Sequence, residues 1–181
     1  MRFIHLYLFS FLLFILLGCS ATTPRQKIPV TVERVVNGQT VEISDASGTQ
    51  RLRLIGINAP TWLPKCQQEP WQEEAKNQLK QLVEGKDVLL EYDEQTEDNY
   101  DRQLGYLWQD EELLINEWLV QQGLVLASRP YEPNTKYAQQ LAYAQEYARV
   151  MELGIWNWQN PMRQTPYEFR RLDCESDSDL H

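Results

Sequence analysis

Histidine is nearly missing from this chain of 181 residues: His5 sits close to the amino terminus and His181 is the last residue. A histidine general base or a histidine-ligated zinc in a folded core is thereby excluded. Cysteine is scarce too, at Cys19, Cys66 and Cys174, without the paired spacing of a thiolate metal site. Basic side chains are outnumbered, with 17 Lys and Arg against 26 Asp and Glu, a net charge of −9 and a pI near 4.8. That balance argues against a non-specific polyanion binder, which needs clustered cations, so any nucleic-acid role must rest on a local cationic site. There is no internal repeat and no low-complexity segment. What is present is ordinary: 43% hydrophobic and 24% charged residues can bury a core, which excludes wholesale disorder, and the length suits one domain with extensions.

The one long apolar run is Phe3 to Leu17, preceded by Arg2 and followed by Gly18-Cys19. It is shorter than the roughly 20 residues that span a bilayer and reads as a signal sequence. Leu16-Leu17-Gly18-Cys19 resembles the lipobox of bacterial lipoproteins. The expectation is a signal peptide over 1–18, a lipidated Cys19, a flexible tether over 19–27, and a membrane-anchored protein of the cell envelope. Simple secretion or an uncleaved anchor is the alternative. Loss of Arg2 with the leader takes the net charge to −10. In an exported chain Cys66 and Cys174, 108 positions apart, could form a disulfide contributing about 3–5 kcal/mol; two unpaired thiols are the other reading.

From Ile28 to Ile57 the pattern is a three-strand meander, with a tight-turn signal at Asn37-Gly38. Pro70 opens a helix in which Trp71, Ala75, Leu79, Leu82 and Val83 recur at helical spacing and which Gly85 ends. Val88 to Tyr92 is a fourth strand, the acidic segment Asp93 to Asp101 reads as a loop, and Leu104 to Trp108 is a fifth strand. A short helix follows Leu113–Ile115, Leu124 to Ala127 is extended, and a last helix runs from Tyr137 to Met151 with Leu141, Ala144, Ala148 and Met151 on one face. The aromatic stripe Tyr137, Tyr143 and Tyr147 reads as core more readily than as a stacking surface. The fold class is α+β, mainly β: a five-stranded OB-type Greek-key barrel with about three helices. Periodicity alone leaves an α+β sandwich open. The domain spans 28–158, and 159–181 is an extension with an acidic tail.

Three stretches carry most chemical information: Val35-Val36-Asn37-Gly38-Gln39-Thr40-Val41, Arg53-Leu54-Ile55-Gly56-Ile57-Asn58-Ala59-Pro60-Thr61, and Asn99-Tyr100-Asp101-Arg102-Gln103-Leu104-Gly105-Tyr106. With Leu114-Ile115-Asn116-Glu117, Leu119 to Leu124 and Gly154-Ile155-Trp156, they resemble the staphylococcal nuclease (thermonuclease) family in order and spacing, from about Val30 to Trp156. The resemblance implies the OB-type barrel and calcium-dependent hydrolysis of phosphodiesters in DNA and RNA. It implies Arg53 and Arg102 as the phosphate-binding arginines, Tyr100 and Tyr131 as substrate contacts, and Gln39 and Asn58 at the calcium-ligand positions. Thr61 stands where the family has the glutamate that activates water. Asn99 replaces a lysine, and Asp101 replaces the glycine of a Tyr-Gly-Arg motif.

Those departures have a physical meaning. Calcium takes six to eight oxygens and draws compensating charge from carboxylates, whereas Gln39 and Asn58 are neutral amides. Thr61 cannot accept a proton at neutral pH. The expectation is weak or absent calcium binding, no required cofactor, and nuclease activity that is strongly reduced or metal-independent. Acids outside the motifs, Glu69, Glu73 and Asp93, are candidates for a relocated metal site. The two arginines keep bidentate forks for an anion, unless they only pair with Asp98 or Asp101. The competing expectation is a non-catalytic module binding nucleic acid, a nucleotide, another anion or an envelope protein at the arginine pocket.

Overall fold

Val30, Val32 and Val35 are buried along the first strand, β1 (Ile28–Asn37), while Glu33 and Arg34 between them are exposed. The two-residue period breaks because Glu33 is an extra residue in the pairing with β2 (Thr40–Asp45): Val32 faces Ile43 and Arg34 faces Glu42. A second shift before Asn37 adds to the bend. Bulges of this kind sharpen strand twist and help a sheet curl shut. The structure, a computed structural model, describes residues 26–46, 48–60, 71–129 and 133–169.

The sheet closes into a barrel in the order β1-β2-β3-β6-β5, with β3 at Gly48–Leu54, β5 at Asp87–Glu97 and β6 at Gln103–Trp108. Every pairing is antiparallel except β3 with β6, which is parallel. A parallel neighbour requires a crossover, supplied by α1 (Gln72–Val83) and β5. Ala75, Leu79 and Val83 of α1 are fully buried in one cluster with Val32, Val41, Leu52, Leu54 and Leu90 of the barrel. A two-stranded annex pairs β4 (Ile57–Asn58) with β7 (Leu126–Ala127). Two further helices, α2 (Ile115–Gln121) and α3 (Ala138–Val150), pack on each other beside β6. A 3-10 turn over Gly154–Trp156 and the short helix α4 (Pro166–Phe169) end the described chain. The barrel and helices match the expected α+β, mainly β, OB-type class.

The β1–β2 turn sits at Gly38-Gln39, since Asn37 still pairs with Thr40. The Asn37 side chain fixes it by accepting the Gln39 N–H at 3.0 Å. A Cβ on Gly38 would lie 2.9 Å from Ala75 Cβ and 3.1 Å from Ala59 Cβ, so only glycine lets the turn tuck against α1.

Two expectations are corrected. Asp93 to Glu97 is strand, not loop: Asn134 gives Gln95 both halves of a ladder contact, accepting its N–H at 2.8 Å and donating to its carbonyl at 2.9 Å. The acid at Asp93 is buried because Tyr106 O–H, the Lys136 N–H and the Glu94 N–H surround it. On α3, Leu141, Ala144 and Ala148 are buried as expected, but Met151, Tyr143 and Tyr147 are exposed, Tyr143 by 66%. Only Tyr137 of the aromatic stripe packs inward, edge-on to Tyr106 and Trp108. The bridge between Cys66 and Cys174, like the lipidation at Cys19, lies outside the described residues.

Asn116 joins the parts. Wholly buried, it accepts the Leu107 N–H of β6 at 3.0 Å and donates to the Ile55 carbonyl at 2.9 Å. Replacing it with leucine strands two buried backbone groups, so Asn116→Leu is expected to cost about 2–4 kcal/mol, measured as a lowered urea midpoint with an unchanged slope.

Candidate active site

Arg53 lies one residue from the end of β3, where the parallel register sets it beside Leu104, two residues after Arg102. Beyond β3 the chain turns at Gly56, whose φ of 75° is a left-handed conformation that glycine adopts without strain. The turn brings the Leu54 and Ile57 carbonyls round to the Arg53 guanidinium, which donates to both, at 2.7 Å to Ile57. These bonds hold the guanidinium in place, and its planar fork has five donors in all.

Arg102 is set by Asp98. One carboxylate oxygen of Asp98 accepts the N–H groups of Tyr100 and Arg102, at 2.9 and 3.2 Å. The other oxygen meets Arg102 Nε at 2.8 Å and Nη2 at 2.6 Å. Burial on its own pushes the Asp98 carboxyl up, but the Arg102 guanidinium and the two N–H groups outweigh it and hold it below the usual carboxylate range. Between them Asp101 has a φ of 56°. This left-handed turn is the physical reason for glycine in the motif, and Asp is among the few other residues that adopt it readily. Tyr100 is 79% exposed, with the Arg102 guanidinium 5.5 Å from its ring centre.

Both arginines line a cleft of about 330 Å³. Its walls are Ile55 to Ile57, the β5–β6 segment with Asp98, Asn99, Tyr100 and Arg102, and Ser128, Arg129, Asn134 and Ala138 on the far side. Tyr106 also lines it; burial first, then the Asp93 charge, pushes its hydroxyl far up, so it stays protonated. Arg129 was not legible from any motif. It arrives because β7 pairs with β4, Ile57 opposite Ala127, and because Ser128 N–H donates to the Gly56 carbonyl at 2.9 Å. Its one sequence signal is a cation two residues after the extended Leu124 to Ala127. Among the described residues, the cleft thus holds three guanidiniums against one carboxylate, Asp98. A wider groove of about 740 Å³ beside α1 and α2 carries Glu73 and Glu74 and no described cation, so it does not suit an anion.

Gln39 is 8% exposed, and its side-chain oxygen accepts the Ala59 N–H at 2.6 Å. It ties the β1–β2 turn to the segment after β4. Asn58 is on β4 opposite Leu126, beside that tie. Thr61, Tyr131 and Glu69 lie outside the described residues. Asp93 is engaged as described above, and among the described residues no three His, Cys, Asp or Glu side chains gather in a way that could hold a metal ion. The described donors at the calcium positions are therefore a poor fit for calcium: two neutral amides, one of them already bonded to a backbone N–H.

A closed barrel of this topology with arginines at its mouth is what the family resemblance implies, and comparisons with known proteins support a nuclease-family domain. The family described as staphylococcal nuclease homologue matches residues 51–158, and the chain belongs to that family. It is 36% identical over 127 residues to the thermonuclease of Staphylococcus hyicus, covering 70% of this chain and 74% of that protein. It is likewise 36% identical over 126 residues to the thermonuclease of Staphylococcus intermedius, covering 69% and 74%. Against endonuclease YncB of Bacillus subtilis it is 31% identical over 144 residues, covering 76% and 68%.

The Asp98–Arg102 pair gives a pH prediction. A carboxyl held low in the folded state adds stability that is complete above its unfolded pKa and disappears as pH falls through the folded value. Asp98→Asn is expected to cost about 1–3 kcal/mol at pH 7, and its deficit relative to the parent should close as pH drops below the range where free aspartate titrates. Urea unfolding at pH 7 and pH 3 measures both.

Proposed function

We propose that this nuclease-family domain binds phosphate-bearing ligands in the arginine cleft while hydrolysing phosphodiesters slowly or not at all. The observation that supports this most is the Gln39 oxygen bonded to Ala59 N–H at 2.6 Å, where the family resemblance expects a charged calcium ligand. Neutral Gln39 and Asn58 and a threonine at position 61 put no charge at the positions where the family resemblance expects the calcium ligands and the water-activating group. A missing general base alone typically lowers rates by roughly 100- to 10,000-fold. Arg53 and Arg102 remain to bind the anion and to offset charge on a pentacoordinate phosphate. The thermonuclease and endonuclease names of its relatives favour nucleic acid or nucleotides as the ligand. The second reading, a purely binding module, follows if no turnover is found.

The purified protein is expected to leave single-stranded DNA and RNA essentially uncut, with calcium giving no stimulation over EDTA. Restoring Gln39→Asp, Asn58→Asp and Thr61→Glu together should bring calcium-stimulated cleavage back. Calcium-stimulated turnover by the unaltered chain, or a micromolar calcium site by calorimetry, would overturn the reading.

We further propose that the domain is exported and held at a membrane through Cys19. Intact-mass analysis of the protein extracted from membranes should show a diacylglyceryl modification on a chain beginning at Cys19. An unmodified amino terminus there, or a retained leader, refutes this.

A further inference from the structure

The charges in the cleft do not match the ligand that a diester-cleaving site would take. A phosphodiester carries one negative charge and two unbridged oxygens. A phosphomonoester carries close to two charges at neutral pH and three strong acceptor oxygens. Among the described residues around the cleft, Arg53, Arg102 and Arg129 stand against Asp98, a balance of two positive charges. Their commitments differ. Arg53 is bonded to the Leu54 and Ile57 carbonyls, and Arg102 is paired with Asp98. Arg129 is exposed and makes no hydrogen bond or ion pair with any described residue, although its backbone neighbours are fixed: Ala127 is paired in β7 and bonded to Gln145, and Ser128 is bonded to Gly56. The bonded Ala127 and Ser128 set where the chain delivers this guanidinium to the cleft, and it meets an anion without first giving up a described partner. The cleft volume of about 330 Å³ lies at the small end of ligand pockets, suited to a single nucleotide unit and not to a length of strand.

We infer that Arg129 is a third anion-binding residue of this cleft, and that it makes the site selective for a phosphomonoester dianion, as on a mononucleotide or a phosphorylated oligonucleotide end, over an internal diester. The inference rests on the anion-cleft reading above. Arg129 is the specificity-determining member, because Arg53 and Arg102 alone, less Asp98, balance only the single charge of a diester.

The test is fluorescence-polarisation binding of short single-stranded oligonucleotides of one sequence, in EDTA so that the probes stay intact. The probes carry a 5′-phosphate, a 3′-phosphate or hydroxyl groups at both ends. A nucleoside monophosphate and inorganic phosphate serve as competitors, to separate nucleotide, strand end and bare phosphate as sources of the same dianion. The full chain is expected to prefer at least one phosphorylated end by about tenfold, the factor expected from one charge-assisted contact. Arg129→Gln should erase that preference, weakening the phosphorylated probes by about tenfold and the hydroxyl-ended probe by less. Arg129→Lys, which keeps the charge but not the fork, should keep part of the preference and guards against a folding defect in the glutamine variant. Equal affinity for phosphorylated and hydroxyl ends in the unaltered chain overturns the dianion inference while leaving the anion cleft standing. So does a preference that survives Arg129→Gln. If no phosphate-bearing probe binds at millimolar concentration, the anion-cleft reading falls and the inference with it.

Discussion

The parallel pairing of β3 with β6 sets Leu52 against Gln103 and Arg53 against Leu104. A strand that begins one residue after Arg102 thus lies beside the strand that carries Arg53, and the two guanidiniums reach one mouth of the barrel. The closure depends in turn on the bulged β1, which curls the sheet far enough for β5 to meet it. It depends also on Asn116, which fastens β6 to the Ile55 turn across 61 positions of sequence. If that closure loosens, Arg53 and Arg102 lose their common wall. The cleft lies where the barrel shuts, and the Ile55–Ile57 turn, the β5–β6 segment and Ser128 with Arg129 wall it.

The whole chain carries a charge of −9, yet its barrel has a mouth walled by arginines, and the two facts are compatible because they act over different distances. At physiological ionic strength charges more than about 8 Å apart are largely screened. On the proposed reading, the acidic surface slows the approach of a long polyanion but does little to an ion already in the arginine cleft. Asp98 is inside that radius, and it has two effects. Its two oxygens orient Arg102 and cap the turn through Asp101, and its charge cancels one guanidinium. Among the described residues lining the cleft, this carboxylate is the one acid opposite the three arginines.

What was legible in the sequence was whatever local pattern controls. The valine period, the Asn37-Gly38 turn and the helical spacing of Ala75, Leu79 and Val83 all correspond to observed elements, because each depends on neighbours within a few residues. The barrel class followed from the order of those elements. Asp93 to Glu97 was misread because its strand is completed by Asn134, 39 positions beyond Gln95, and composition alone shows only acids. Tyr143 and Tyr147 were misread because helical spacing places residues on a face without saying whether anything covers it. At the site, Arg53 and Arg102 stood out within motifs, while Arg129 owes its position to a two-residue strand paired with a distant one. Thr61 and Tyr131 keep their motif-based readings and lie outside the described residues.

Binding and reaction come apart in a site built this way. A guanidinium fork grips the phosphate in the ground state about as well as it grips it on the way to the transition state. Only the part of that interaction that grows as charge develops speeds the reaction. The groups whose effect appears chiefly in the transition state are those that activate water and concentrate charge on the reacting oxygens. On the proposed reading those are the positions that became Gln39, Asn58 and Thr61. Gln39 has another use in this fold: its amide holds the β1–β2 turn to the Ala59 N–H. An aspartate there could accept the same N–H bond, so the glutamine is not explained by that bond alone. On the proposed reading, the neutral amide leaves one negative charge fewer beside β3, where the Gln39 carbonyl accepts the Leu54 N–H next to Arg53, and this weakens the case for catalysis and favours an anion by the same electrostatic cause.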